Sequence, residues 1–357
     1  MTAGAAPRRA SVIGTGLIGA SVALALRERG WHVSGTDASP DAESRAQARG
    51  AIDDIGLDPA SEVTFVALPV RAVPDAVRHA LAETTGAVTD VGSVKASIVA
   101  EVDDPRFVGG HPMAGSEQLG VDGADARLFD GAVWVLTPGA RTGSDAFTLV
   151  DGVVRSLGAD VVALAPDRHD ALVAVVSHVP HLTAAALMGI ADERAGEHAA
   201  LLRLAAGGFR DMTRIAGGTP AIWPDICVEN RSAIVEVIDR LTAELTRLRA
   251  IVDEGRQGDL LATLERAQAA RRNLPGRAVQ PDSLAEVRVP VPDREGVVAE
   301  VSTLAAELGV NLADVEIAHS SEGDRGLLIL LVDRTLADTF ATGLVSRGYH
   351  PTVTPLT

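Results

Sequence analysis

One cysteine in 357 residues, Cys227, excludes an internal disulfide framework and suits a reducing compartment. Aromatic residues are almost as scarce, at 3%, so any core has to be assembled from Ala, Val, Leu and Ile. Positive charge is in deficit as well. The 32 Lys and Arg are outnumbered by 48 Asp and Glu, a formal net charge of −16. That balance argues against nucleic acid and anionic membrane as partners, and it requires any anionic substrate to find a locally basic pocket. No long apolar run follows the start, Met1 to Arg9, so neither a signal peptide nor a membrane span is expected and the expected location is cytoplasmic. Internal repeats and low-complexity tracts are also missing. Against these absences stand 46% hydrophobic and 22% charged residues, the proportions of a folded chain, and a length that suggests two or three domains.

The order of patterns sets the expected architecture. Ala10 to Ile13 is a short apolar run ending in glycines, which reads as a buried strand. Leu17 to Arg29 has helical periodicity and is stopped by Gly30, and His32 to Thr36 is a second strand closed by Asp37. Val63 to Leu68, Ala87 to Val91, Phe107 to Gly110 and Val133 to Leu136 are further short apolar runs, several separated by helical stretches. This alternation predicts an α/β fold with a doubly wound, largely parallel sheet of Rossmann type over residues 1–166.

An all-helical domain is expected over 167–273. There a helix is predicted to begin near Pro180, and the longest helical stretch runs from Asp225 to Val252. Its apolar residues Ile234, Val237, Ile238, Leu241, Leu245, Leu248 and Val252 form one stripe, suited either to an internal core or to a subunit interface. Residues 274–283 read as a linker. Residues 284–357 follow the order β-α-β-β-α-β, a ferredoxin-like arrangement.

Gly14-x-Gly16-x-x-Gly19 lies between a strand and a helix, where a dinucleotide pyrophosphate is held by free helix N–H groups. Gly14, Gly16, Leu17, Ile18 and Gly19 are the expected cofactor contacts. Asp37 would take the adenine-side ribose hydroxyls and repel a 2′-phosphate, favouring NAD over NADP. Asp90-Val-Gly-Ser93-Val-Lys95 follows a strand and places Ser93 at its carboxyl end, either as a helix N-cap or as a reacting group, while Lys95 could be a solvated helix residue. His111 follows another strand, and an imidazole there suits proton acceptance at neutral pH. His169, His178 and His181 form a second imidazole group, but no cysteine and no His-Glu-x-x-His spacing supports a metal. Arg210 and Arg214 follow a glycine pair in an otherwise acidic chain and suit carboxylate binding.

Taken in order, these motifs carry a resemblance to a family. Gly14-x-Gly-Leu-Ile-Gly19, Asp90-x-Gly-Ser-Val-Lys95, His111-Pro-Met-Ala-Gly-Ser-Glu117, Ser177-His-Val-Pro-His181, Gly208-Phe-Arg-Asp-Met-Thr-Arg-Ile215 and Trp223-x-Asp-Ile226 resemble the prephenate dehydrogenases of tyrosine biosynthesis that bear a C-terminal ACT domain. The resemblance implies NAD-dependent oxidative decarboxylation of prephenate to 4-hydroxyphenylpyruvate. It implies His111 as acceptor for the substrate 4-hydroxyl, Ser93 supporting that hydroxyl, Arg214 on a substrate carboxylate and His181 at the substrate's other end. Glu117 and Asp211 would join the arginine in an ionic gate, and Gly207 and Trp223 would line the pocket. It further implies L-tyrosine as an effector at the ACT domain. A homodimer through the helical domain is also expected. Arogenate dehydrogenase is the nearest alternative. A β-hydroxyacid dehydrogenase is disfavoured because no lysine occurs between Arg168 and Arg272. A non-catalytic NAD or amino-acid sensor is the alternative outside enzymes.

Overall fold

Short apolar runs with little side-chain bulk build the first layer of the protein, seen here in a computed structural model. The structure describes residues 7–115, 118, 120–195, 205–272, 284–292, 294–319 and 325–355. The expected linker and Glu117 lie outside the described residues. Two compact units divide the chain, Met1–Arg247 and Leu248–Thr357.

In the first unit the strands are β1 (Arg9–Ile13), β2 (His32–Thr36), β3 (Asp54–Ile55), β4 (Val63–Val66), β5 (Ala87–Asp90), β6 (Phe107–Pro112), β7 (Val133–Thr137) and β8 (Asp160–Ala163). They form one sheet in the order β3-β2-β1-β4-β5-β6-β7-β8. Every pairing is parallel except β6 with β7. Helices α1 (Leu17–Glu28), α2 (Pro40–Ala48), α3 (Val73–Glu83), α4 (Ala96–Glu101) and α5 (Ser144–Ser156) connect and cover these strands. β1 lies between β2 and β4, so the chain reverses its direction of travel across the sheet there. Such a reversal opens a crevice at the carboxyl ends of the strands.

Few aromatic rings serve this core. Trp134 is fully buried, with the Phe65 and Phe129 ring centroids at 6.2 and 5.0 Å, and small aliphatic side chains fill the remainder. Every strand predicted for this region is present, with ends differing by one or two residues.

The helical part differs from expectation in two places. The helix expected to begin near Pro180 does begin beside it, at Val179, but not as a free start. Helix α6 (Pro166–Val173) runs through a π-helical turn, Ala174–His178, directly into α7 (Val179–Ala195). Pro180 has no N–H to give a carbonyl one turn back, and its ring crowds that carbonyl; the widened turn just before it accommodates both. The long helix predicted from Asp225 is divided at Asn230, into α9 (Trp223–Glu229) and α10 (Arg231–Asp253). α8 (Gly207–Thr213) precedes them.

The segment Pro166–Arg194 is long and apolar enough to cross a membrane by composition alone. Within it, His169, Asp170 and His178 are buried against polar partners.

The second unit holds α11 (Gln257–Arg272) and then β9 (Leu284–Pro292), α12 (Val297–Glu307), β10 (Leu312–His319), β11 (Arg325–Asp333), α13 (Ala337–Ser346) and β12 (Thr352–Pro355). The four strands form an antiparallel sheet in the order β10-β11-β9-β12. Alternating inward Val287, Val289 and Val291 on β9 pack with Val301, Leu304, Phe340 and Leu344 from the two helices. The β-α-β-β-α-β succession predicted for this region is present.

Candidate active site

The glycine turn is built as a nucleotide cradle must be. Gly14 has φ +93°, and a Cβ there would lie 2.2 Å from the Ala67 carbonyl oxygen. A Cβ on Gly19 would lie 1.9 Å from the Gly14 oxygen, so neither position admits a side chain. Gly16 caps α1 without a side-chain hydrogen bond, and a Cβ there would meet nothing within 4 Å. The open space therefore lies over the free N–H groups at the start of a twelve-residue helix, where a pyrophosphate fits. Leu17 and Ile18 form that helix's first turn. Asp37, at the end of β2, accepts the Thr15 N–H and hydroxyl at 2.8 and 3.1 Å and the Ser39 N–H at 3.0 Å. Its carboxylate is thus held beside the glycine turn, with acceptor capacity remaining for a diol.

Two strands away, the carboxyl ends of β5 and β6 carry the candidate residues Ser93 and His111. Lys95 is fully buried, which corrects its reading as a solvated residue. Its ammonium donates to Asp90 and, at 2.8 Å, to the carbonyl oxygen of Gly110. Asp90 also accepts N–H bonds from Gly92 at 2.8 Å and Gly110 at 3.1 Å. Burial pushes the Lys95 pKa down, and the Asp90 and Asp170 carboxylates oppose that shift. This buried pair ties the β5–α4 loop to the residue preceding His111.

Ser93 lies half-buried in the bend before α4, two positions ahead of the helix cap. The N-capping role considered for it falls to another residue. Asp170 on α6 accepts the Lys95 and Ala96 N–H groups at 2.8 and 2.9 Å.

His111 is buried, with its Nδ1 2.8 Å from His169 Nε2, and His169 Nδ1 is 2.8 Å from Asp170 Oδ1. Burial holds the His111 pKa well below 6.5, and the neighbouring His169, Lys95 and His178 push it the same way. The divided helix has a use here. Asn230 donates to the Asp170 carbonyl oxygen at 2.8 Å and lies 3.1 Å from His178 Nδ1. Burial lowers the His178 pKa to about 4, against the pull of Asp170.

A cavity of about 670 Å³ lies beside this network, lined by His181, Arg214, Trp223, Gly115, Gln118 and Thr219 among others. His181 stacks on Trp223 with ring centroids 3.6 Å apart, and Trp223 meets His178 edge to face at 6.2 Å. Burial lowers the His181 pKa. The structure therefore brings Arg214, His181 and Trp223 together. Gly207 and Asp211 lie exposed on α8, outside that lining.

Sequence reasoning missed the roles of His169, Asp170, Asn230 and Lys95. The signals available for them were a histidine next to an aspartate at a helix start and a lysine in a fixed motif. Among the described residues no cluster suited to a metal is found.

Comparison with known proteins bears on the same residues. Residues 22–163 match the family model described as "Prephenate dehydrogenase, nucleotide-binding domain", and residues 165–266 match "Prephenate dehydrogenase, dimerization domain". A prephenate dehydrogenase of Bacillus subtilis is 33% identical over 88% of this chain and 89% of its own. The structure of a prephenate dehydrogenase from A. aeolicus, in complex with hydroxyphenyl propionate and NAD+, superposes with a TM-score of 0.70 at 30% identity. That match covers 75% of this chain and 98% of the other. A Synechocystis arogenate dehydrogenase structure gives 0.64 at 30% identity, over 74% and 98%.

Proposed function

This chain belongs to the prephenate dehydrogenase family, and on that premise we propose how its residues divide an NAD-dependent oxidative decarboxylation of prephenate. The observation that carries the reading is one of placement. The glycine turn, Asp37 and Ser93 follow the carboxyl ends of β1, β2 and β5, and His111 lies in the last residues of β6, at the same edge of one sheet. That edge is where open α/β sheets bind ligands.

Bound NAD supplies the hydride acceptor. Gly14, Gly16, Leu17, Ile18 and Gly19 hold its pyrophosphate, and Asp37 holds the adenine-side ribose. His111, neutral because it is buried, accepts the hydrogen bond of the substrate 4-hydroxyl, and Ser93 supports the same hydroxyl. As hydride leaves C4, His111 draws on the hydroxyl proton. The bond to the ring carboxylate then breaks, its electron pair enters the ring, carbon dioxide departs, and the ring becomes aromatic as His111 gives the proton back to the oxygen, leaving a phenol. Aromatisation supplies driving force, so the residues have chiefly to position the substrate and offer one acceptor.

Arg214 binds a substrate carboxylate, which answers the need for a local cation in an acidic chain. His181, stacked on Trp223, holds the other end of the substrate. Gly207 serves the pocket's margin, and Glu117 and Asp211 gate it together with the arginine.

In this reading residues 1–166 are the NAD domain, 167–273 the substrate and dimerisation domain, 274–283 a linker and 284–357 an ACT module of ferredoxin-like type. The strand order of the second unit supports that module, and the α12 N-terminus, capped by Gly296 without a side-chain bond, suits the carboxylate of an amino-acid effector, for which L-tyrosine is the candidate. The chain works as a homodimer in the cytoplasm.

The test is NADH formation with prephenate and with arogenate, each with and without L-tyrosine. Prephenate-dependent NADH formation is expected. Turnover on arogenate alone would move the substrate assignment to the alternative. Turnover on neither would leave a binding protein. Rate and thermal stability that ignore tyrosine would remove the effector.

A further inference from the structure

His111 has two ring nitrogens, and only one of them can meet a substrate hydroxyl as an acceptor. Which one is free for that role is decided by its neighbours. Four observations constrain the choice. Asp170 already accepts the Lys95 N–H at 2.8 Å and the Ala96 N–H at 2.9 Å, with its Oδ1 also 2.8 Å from His169 Nδ1. His169 Nε2 is 2.8 Å from His111 Nδ1, so one proton lies between those two nitrogens. His169 is fully buried, and Asp170 and His111 nearly so, which keeps water from substituting for any of these partners. Asn230 fixes the Asp170 backbone at 2.8 Å, so the carboxylate cannot drift from the pair.

The proton positions follow in sequence. The Asp170 carboxylate has no proton to donate, so His169 Nδ1 carries one. A neutral His169 then presents a lone pair at Nε2, so the shared proton belongs to His111 Nδ1. His111 Nε2 is left as a bare acceptor. The competing arrangement charges His169 and strips His111 Nδ1. It would add a buried imidazolium to a region that already holds the buried Lys95 ammonium, whose charge acts on His111, and leave His111 offering an N–H at Nε2, where an acceptor is needed.

We propose that His169, held by Asp170, is the positioning residue that locks His111 in the Nδ1-protonated tautomer and so aims its Nε2 lone pair at the substrate hydroxyl. His169 touches neither the substrate nor the cofactor in this scheme. The logic is that of an acid orienting a catalytic imidazole, with a second imidazole interposed. This inference rests on the reading of His111 as the acceptor.

Its test has two arms. In the first, the enzyme is labelled with ¹⁵N-histidine, and ring tautomers are read by multiple-bond ¹H–¹⁵N correlation at pH 7.5, with His111→Asn supplying the assignment. A protonated Nδ1 and bare Nε2 on His111 are expected. A protonated Nε2 overturns the proposal whatever the activity. In the second arm, His169→Leu removes the acceptor, while His169→Gln places Oε1 near the position of the lost Nε2. kcat is expected to fall about 100-fold or more in His169→Leu, with the prephenate KM and NAD affinity within about twofold. His169→Gln should recover about tenfold of that loss. Equal losses in both variants, or full activity in His169→Leu, overturn it. If His169→Leu does not fold, the wild-type tautomer and His169→Gln still decide. Normal turnover in His111→Asn would instead defeat the reading of His111 as acceptor, and the spectrum would report the tautomer independently.

Discussion

His111 is surrounded by groups that disfavour its cation: a buried setting first, then His169, Lys95 and His178. Its proton-accepting form is therefore the resting form at neutral pH. The sign of the pH effect follows. A depressed pKa keeps the neutral imidazole available above that pKa and loses it only as pH falls through it, below the ordinary 6.5. kcat at saturating NAD and prephenate should hold level from pH 8 to 6.5 and decline only at lower pH. A half-maximal point at or above 6.5 would show His111 to be an ordinary solvated imidazole. Arg214 is argued from charge instead. Arg214→Gln should raise the prephenate KM about tenfold or more with kcat less affected, a split readable from initial rates. Lys95 carries a stability prediction. Lys95→Met leaves the Asp90 carboxylate buried without its cation, at a cost of about 3–5 kcal/mol, and adding Asp90→Asn should return part of that in denaturant melts. His111, Ser93 and Arg214 were legible because each sits in a short motif whose residue types state their chemistry. Lys95 was misread because solvation is decided by what packs over a residue. His169 was noticed only as one of several histidines, since its partner lies 58 positions earlier in the chain.

At the scale of the element, the site depends on helices that begin, widen and break at particular residues. α4 has no capping side chain of its own and takes its cap from Asp170 on α6, so the helix start and the imidazole pair share one carboxylate. The π-helical turn before Pro180 shifts the register between His169 and His181 within one continuous helical segment. His169 and Asp170 near the start of that segment thus serve the network around His111, and His181 just past the π turn serves the cavity. At the break, Asn230 turns its amide inward onto the Asp170 carbonyl oxygen and His178. Asn230→Ala removes the donor to the Asp170 carbonyl oxygen and the partner of His178, leaving buried polar atoms unmatched. A loss of about 1–3 kcal/mol in thermal or urea unfolding is expected. An unchanged midpoint would mean that water replaces the amide. The strands and the glycine turn were readable because strand runs are local, as are the positive φ of Gly14 and the close approach of Gly19 to the Gly14 oxygen. The π turn and the break were not, because a proline ordinarily marks a helix start and an asparagine inside a periodic stretch signals nothing until its buried partners are known.

At the scale of the whole molecule, the apolar stripe along α10 divides between two uses. Ile234 is buried, and Val237 and Leu241 pack beside it against Ala174 and Val179. Ile238, Leu245 and Val252, spaced by sevens along the other edge, are 37%, 55% and 65% exposed. Val175 and Val176 on the π turn and Ile190 on α7 are exposed as well. A water-soluble monomer has little reason to keep a helix-long line of aliphatic side chains in solvent, whereas an isologous dimer covers such a line with its own copy. The sequence left core and interface as equal alternatives for this stripe, and the burial pattern assigns its two edges differently. Leu245 is the useful position because it has no part in the network around His111 or in the lining of the cavity. Burying a leucine is worth about 1.5–3 kcal/mol, and a two-fold axis counts the substitution twice. Leu245→Glu should therefore weaken self-association at least about 100-fold. Light scattering after size exclusion is expected to give a dimer for the native chain and a monomer for the variant, with helix content by circular dichroism unchanged. A native chain that elutes as a monomer at micromolar concentration, or a variant that stays dimeric, would show that the pairing does not run along α10.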